Sequence, residues 1–197
     1  MATATQPAPP VYNLANQLTA ARLVLAVALF LLIGYAQWSW CVLVFALAAF
    51  TDWLDGYLAR KQGLASTLGR VFDPLVDKIL VCGAFIFLLP IANSGLAPWM
   101  VTVIVARELI ITGLRSFMEH RNVVFGADWL GKLKMGLQCA ALFGIFVALY
   151  VYAEDWTAGW ENVFGRIRDG LVWAMLVATA LSGLQYLARA ALLVKSE

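Results

Sequence analysis

The sequence predicts an all-α integral membrane protein of six transmembrane helices, preceded by a short interfacial helix and with both termini in the cytoplasm. Three observations carry that expectation. Of 197 residues, 62% are hydrophobic and 13% charged, against about 25% charged in a soluble domain. Uncharged runs long enough to enter a bilayer recur along the chain. Basic residues collect in alternate connections between those runs. So little polar surface excludes a large soluble domain, and a net charge of +2 supplies no basic face for nucleic acid.

Residues 1–10 (MATATQPAPP) read as a disordered tail and 11–197 as a single domain without internal repeats. From Val11 to Ala21, Leu14 and Leu18 share one side while Asn13, Asn16 and Gln17 lie elsewhere, which suits the interfacial helix. Leu23 to Thr51 is uncharged over 29 residues, too long for one span of about 20 and too short for two. Gly34, Gln37 and Ser39 mark a fold-back, so a second helix from near Trp40 must run to about Ala59 to cross. Ile79 to Ala106 is broken in the same way by Pro90, Asn93-Ser94-Gly95 and Pro98. That leaves one helix from Pro74 to Leu89 and another from Pro98 to Phe117. Met135–Ala153 and Gly170–Ala188, uncharged over 19 residues each, complete the six.

Arg22 precedes the first span, Arg60, Lys61, Arg70 and Lys78 surround the second connection, and Arg115, Arg121, Lys132 and Lys134 surround the fourth. The turns near Gly34 and Asn93 carry no basic residue, which places both termini in the cytoplasm. Only Glu154 to Asp169 breaks the pattern, with Arg166 and Arg168 set among four acidic residues. No secretory signal is expected, because Arg22 is the first charge. Trp38, Trp40, Trp99, Trp129, Tyr150 and Trp156 read as an interfacial belt. Cys41, Cys82 and Cys139 sit in apolar stretches and read as core fillers, and His120 falls in a loop as an incidental residue.

Ionisable side chains inside spans are costly and are therefore functional candidates. Asp52 and Asp55 are i, i+3 near the end of the second span, and Asp73 and Asp77 are i, i+4 at the start of the third. Each pair projects from one helix face, and the short connection brings the faces together. Four crowded carboxylates repel one another unless a cation sits among them. All-oxygen ligands favour Mg²⁺, Mn²⁺ or Ca²⁺ over zinc, and two such ions balance four carboxylates. The plainer reading pairs the aspartates with Arg60, Lys61, Arg70 and Lys78 at helix ends; four at this spacing favour the metal.

Gly56, Ala59 and Gly69 flank the aspartates, either as close helix packing or as bare backbone for a flat ligand. Arg107 falls near mid-membrane in the fourth span, with Arg115 eight residues on and on roughly the same side. Lys132 and Lys134 stand at the mouth of the fifth, and Glu108 is placed to pair with one of these cations. Snorkelling accounts for Arg115, Lys132 and Lys134 but not for Arg107, which calls for an anionic partner. A carboxylate wall with two divalent ions opposite a basic wall suits phosphoryl-group transfer.

The run Asp52-x2-Asp55-Gly56-x2-Ala59-Arg60-x8-Gly69-x3-Asp73-x3-Asp77 resembles, without departure, the signature of the CDP-alcohol phosphatidyltransferases. Flanking segments resemble the phosphatidylglycerophosphate synthase branch of that family. They are Asn13-Leu14-Ala15-Asn16-Gln17-Leu18-Thr19 with Arg22, Ala106-Arg107-Glu108 with Arg115, and Leu130-Gly131-Lys132-Leu133-Lys134. Met135 is a local departure, where a small polar residue is expected. The resemblance covers nearly the whole chain and implies a six-helix homodimer in the cytoplasmic (inner) membrane, bacterial in the simplest case. It implies transfer of the phosphatidyl group from CDP-diacylglycerol to sn-glycerol 3-phosphate, with release of CMP. Asp52, Asp55 and Asp73 then hold two ions, Mg²⁺ or Mn²⁺, and Asp77 is both metal ligand and general base. Gly56, Ala59, Arg60 and Gly69 serve the nucleotide, and Arg107, Arg115, Lys132 and Lys134 hold the acceptor phosphate.

Two alternatives stay open. One is the same chemistry with phosphatidylglycerol, inositol phosphate or serine as acceptor, of which the basic wall disfavours serine. The other is an ion transporter, disfavoured because the aspartates gather at one face and no paired broken helices occur.

Overall fold

Charge-free runs longer than one span turn back where helix-breaking residues fall, and the chain does so throughout. The computed structural model describes residues 14–62, 67–120, 129–154 and 159–195, apart from the side chains of 14–16, 18, 53–62, 67–74, 117, 119, 120 and 190–195. Six helices follow one another among the described residues, with no strand. They are α1 (Leu14–Gly34), α2 (Trp38–Gln62), α3 (Thr67–Leu88), α4 (Pro98–His120), α5 (Trp129–Ala153) and α6 (Glu161–Lys195). The tail 1–10 and Trp156 lie outside the described residues.

Turn chemistry explains the breaks. The α1–α2 turn passes through Ala36 at φ 54°, one of two non-glycine residues with positive φ among the described residues, so the left-handed position here is Ala36 rather than Gly34. Between α3 and α4, Asn93 (φ 60°) and Gly95 (φ 74°) both take the left-handed conformation that suits these residue types. Pro98 then opens α4 at the first helical position, where its missing N–H costs nothing.

Helix ends differ from the sequence expectation because uncharged runs mark apolar surroundings, whereas helices continue past them. Among the described residues of the expected interfacial segment Val11–Ala21, no separate helix is set off: α1 runs unbroken from Leu14, and Thr19 and Arg22 are buried in the bundle. Pro74 does not start the third helix but lies inside α3, which begins at Thr67. The fifth starts at Trp129 rather than Met135, so Lys132 and Lys134 lie within its first turns. The sixth spans 35 residues, about 52 Å at 1.5 Å per residue, well beyond the roughly 30 Å of hydrocarbon in a bilayer. His120 closes α4 rather than standing in a loop. Trp38 is 9% exposed and packs in the core, so it does not belong to the belt, unlike the exposed Trp40, Trp99 and Trp129.

The core is built from every helix: Leu29 and Ile33 of α1, Phe45 of α2, Phe85 of α3, Ile104 of α4, Phe146 of α5 and Met175 of α6. Phe45 and Phe146 meet at 5.6 Å between ring centroids, joining α2 to α5. The most extensive packing is of α5 on α6, followed by α1 on α3 and α2. The outer faces are also apolar, with Val24, Leu31, Leu43, Phe50, Leu109, Ile110, Val177 and Leu184 all exposed. A bundle that is apolar inside and out suits lipid rather than water. Among the described residues two helices, α5 and the Glu161–Arg189 part of α6, are long and apolar enough to cross a membrane.

Candidate active site

Arg22 organises the first wall. Its side chain is 1% exposed, and Nη1 lies 2.9 Å from Asp77 Oδ1 and 3.1 Å from Asp52 Oδ1. One guanidinium nitrogen thus ties α1 to α2 and α3 and holds the two carboxylate oxygens within about 6 Å of each other. The sequence marked Arg22 as an orientation charge and as part of the resembling N-terminal segment, not as a partner of the aspartates.

Asp55, Asp73, Gly56, Ala59, Arg60 and Gly69 fall on the described backbone of α2 and α3, but their side chains lie outside the described residues. Of the four aspartates, Asp52 and Asp77 are therefore the ones whose approach is seen. Among the described residues no three His, Cys, Asp or Glu side chains form a metal-binding group.

The second wall gathers on α4, α5 and α6. Glu108 is buried, and its Oε1 accepts from Lys134 Nζ and, at 3.2 Å, from Arg107 Nη1. Arg107 also donates from Nη2 to Ser182 Oγ at 2.5 Å, and its guanidinium carbon sits 5.9 Å from the centre of the Tyr186 ring. Gly183 makes room for this side chain, since a Cβ there would stand 3.4 Å from Arg107 Cγ. Two cations thus share one carboxylate, which leaves the cluster one positive charge in excess, in buried surroundings where charge interacts strongly. Arg107 and Lys134 come together as expected, whereas Arg115 and Lys132 are exposed. Ser182 and Tyr186, missed in the sequence, are small or aromatic residues in a long apolar helix, and nothing local distinguished them.

Two cysteines lie near both groups of charges. Cys139 on α5 lies within electrostatic reach of Asp52, Asp77 and Lys134, and Cys82 on α3 within reach of Glu108, Lys134 and Lys78. All three cysteines are free thiols, consistent with packing roles.

The opposite end of the bundle holds a separate arginine. Arg168 is buried, pairs with Asp169 at 2.9 Å, donates to the Asn93 carbonyl and covers the Tyr152 ring at 5.8 Å. Its charge is spent fastening α6 to the α3–α4 turn, which explains a basic residue in the one connection that departs from the alternating pattern.

Comparison with known proteins places these features. The family model for CDP-alcohol phosphatidyltransferase matches residues 12–181. A CDP-diacylglycerol--glycerol-3-phosphate 3-phosphatidyltransferase of Bacillus subtilis (strain 168) is 33% identical over 195 residues, covering 90% of this chain and 95% of its own. The protein of that name from Rickettsia typhi is 40% identical over 178 residues, covering 88% and 94%. One from Shigella flexneri serotype 5b is 31% identical over 185 residues, covering 91% and 95%. With a match that takes in the four aspartates, Arg107, Glu108 and Lys134, and relatives aligned over nearly their whole lengths, this chain belongs to the CDP-alcohol phosphatidyltransferase family.

Proposed function

We propose that this chain transfers the phosphatidyl group from CDP-diacylglycerol to sn-glycerol 3-phosphate, forming phosphatidylglycerophosphate and releasing CMP. The observation that carries the reading is the pairing of a carboxylate wall, Asp52 and Asp77 on Arg22, with a net-positive wall of Arg107, Glu108 and Lys134. Both substrates are named in the relatives that match the chain over most of its length.

Asp52, Asp55, Asp73 and Asp77 hold a divalent metal, two ions of Mg²⁺ or Mn²⁺. The donor set fits: carboxylate oxygens are hard ligands, and Asp52 and Asp77 already approach each other closely enough to share one cation. Bound there, the metal supplies positive charge against the diphosphate. Asp77 takes the proton from the acceptor's 1-hydroxyl, whose oxygen forms a bond to the phosphorus carrying diacylglycerol as the bond to CMP breaks. Gly56, Ala59 and Gly69 leave room for the nucleotide, and Arg60 serves its phosphates. Arg107 and Lys134, helped at the opening by Arg115 and Lys132, hold the acceptor phosphate.

All six helices cross a bacterial inner membrane as a single domain, with both termini and the site on the cytoplasmic side. The basic residues near the ends of α2, α3, α4 and α5 support this orientation. Acyl chains then stay in lipid while the soluble acceptor and CMP exchange with the cytoplasm. A homodimer is carried over from the family resemblance.

The test is CMP release by purified protein in detergent with CDP-diacylglycerol and Mg²⁺, offering glycerol 3-phosphate, inositol phosphate, phosphatidylglycerol or serine. Release with glycerol 3-phosphate alone, abolished by EDTA, is expected. Release with another acceptor overturns the substrate, and release with none from folded protein overturns the reaction.

A further inference from the structure

Hydroxyls on helices in apolar surroundings are normally satisfied by the helix's own carbonyls. Thr51 donates to Leu47 and Ala48 at 3.0 and 2.8 Å, Thr102 to Pro98 at 2.9 Å, and Thr112 to Glu108 at 2.6 Å. Thr179 does not follow them. It is 0% exposed on α6, and its Oγ1 has no hydrogen-bond partner among the described residues. Gln138 on α5 is 2% exposed with its amide nitrogen in the same condition, and Arg107 Nε is a third such atom.

These three atoms belong to one place. Thr179 precedes Ser182 by three residues, so it shares the face of α6 on which Ser182 receives Arg107. Gln138 follows Lys134 by four, so it shares the face of α5 on which Lys134 meets Glu108. Because α5 runs inward from Trp129 and α6 outward to Lys195, both residues stand one turn deeper than the charged cluster. All three atoms can donate, and this register sets Gln138 and Thr179 beside a cluster with one positive charge in excess. Buried donors without partners are rare and costly, and a chain that keeps three together keeps them for something that accepts. The chemistry that satisfies several donors and one surplus positive charge is a phosphate group with its terminal oxygens.

We propose that Gln138 and Thr179 form the floor of the acceptor site, donating to the phosphate oxygens of glycerol 3-phosphate beside Arg107 and Lys134. This rests on the acceptor assigned above and adds two neutral residues to it.

Thr179→Val and Gln138→Leu are the informative variants, because each removes a polar group that has no partner in the unliganded protein. A merely structural role predicts unchanged or improved melting in detergent and unchanged kinetics. A floor role predicts a KM for glycerol 3-phosphate raised roughly tenfold in each variant, as expected for losing a hydrogen bond to a charged group. The KM for CDP-diacylglycerol stays at the wild-type value, and Thr179→Ser restores acceptor KM. The rise in melting temperature that glycerol 3-phosphate gives wild type shrinks in both variants. An unchanged acceptor KM in either variant removes that residue from the floor and leaves it beside buried water only. Wild-type CMP release measured alongside separates the levels: activity with glycerol 3-phosphate but unchanged variants overturns the floor alone, whereas no activity with it overturns the acceptor and the floor together.

Discussion

Arg22 Nη1 and Asp77 Oδ1 are 2.9 Å apart, joining α1 to α3 across 55 residues of sequence. The same nitrogen reaches Asp52 at 3.1 Å. Two carboxylates proposed to hold metal are thus already gathered by a cation of the protein's own, so the wall keeps its shape whether or not a divalent ion is bound.

Replacing Arg22 tests this. Arg22→Ala leaves two carboxylates facing each other with their shared cation gone. Breaking a fully buried pair costs about 3–5 kcal/mol, and the part-exposed aspartates reduce that to roughly 2 kcal/mol. Melting in EDTA should fall by about 4–8 °C for a chain of this size, and millimolar Mg²⁺ should recover more of the loss than it adds to wild type. Equal melting of variant and wild type in EDTA shows that Arg22 does not hold the wall.

Asp77 is the proposed base, and its pairing with Arg22 fixes the orientation of its carboxylate. Asp77→Asn preserves shape and removes the proton acceptor. CMP release should drop by about a thousandfold or more, the upper part of the range for general base catalysis. A variant that turns over at near the wild-type rate eliminates Asp77 from that role.

The existence and order of the helices were legible because uncharged runs and turn residues are local signals. Their ends were not, since Lys132, Lys134 and Glu161 belong to helices although they are charged. Arg107's need for an anion could be read from its depth alone, and Glu108, named as a pairing partner for one cation, serves two. The turn of Arg22 into the bundle was not legible for a physical reason: a charge next to an apolar run looks the same whether it ends the membrane segment or turns inward. Ser182, Thr179 and Gln138 carry no charge: Ser182 is singled out by receiving Arg107, and Thr179 and Gln138 by burial without ordinary partners.

Glu108 acts as the internal counterion of the basic wall. In Glu108→Gln, Arg107 and Lys134 face each other without their shared carboxylate, a loss of roughly 2–3 kcal/mol for a buried pair. Melting should fall by about 5–10 °C. Glycerol 3-phosphate should restore the variant more than it stabilises wild type, because its phosphate replaces the missing charge. Equal stabilisation of the two proteins separates Glu108 from the acceptor site.

Arg107 supplies the charge nearest to Ser182 and Tyr186. Arg107→Ala should raise the KM for glycerol 3-phosphate about tenfold to a hundredfold, the range for a lost charge-assisted hydrogen bond, with the donor's KM little changed. An acceptor KM equal to wild type sinks the assignment of Arg107 to the acceptor phosphate.

Gly83 tests whether packing far from the charges sets their geometry. It follows Asp77 by six residues on α3, and Phe30 follows Arg22 by eight on α1, so the two contacts join the same pair of helices about two turns apart. A Cβ at Gly83 would fall 2.8 Å from Phe30 Cε1, closer than side chains tolerate. The Phe30 ring cannot easily retreat, because it is stacked on Phe87 at 4.8 Å with planes 7° apart. Gly83→Val should therefore force α1 away from α3 and lengthen the Arg22–Asp77 contact, lowering kcat more than either substrate's KM. Adding Phe30→Ala to Gly83→Val removes the obstruction, and the double variant should recover kcat beyond the Gly83→Val level, a coupling of opposite sign to additive damage. If the double variant is as slow as the two single losses combined, α1–α3 spacing does not control the position of Asp77.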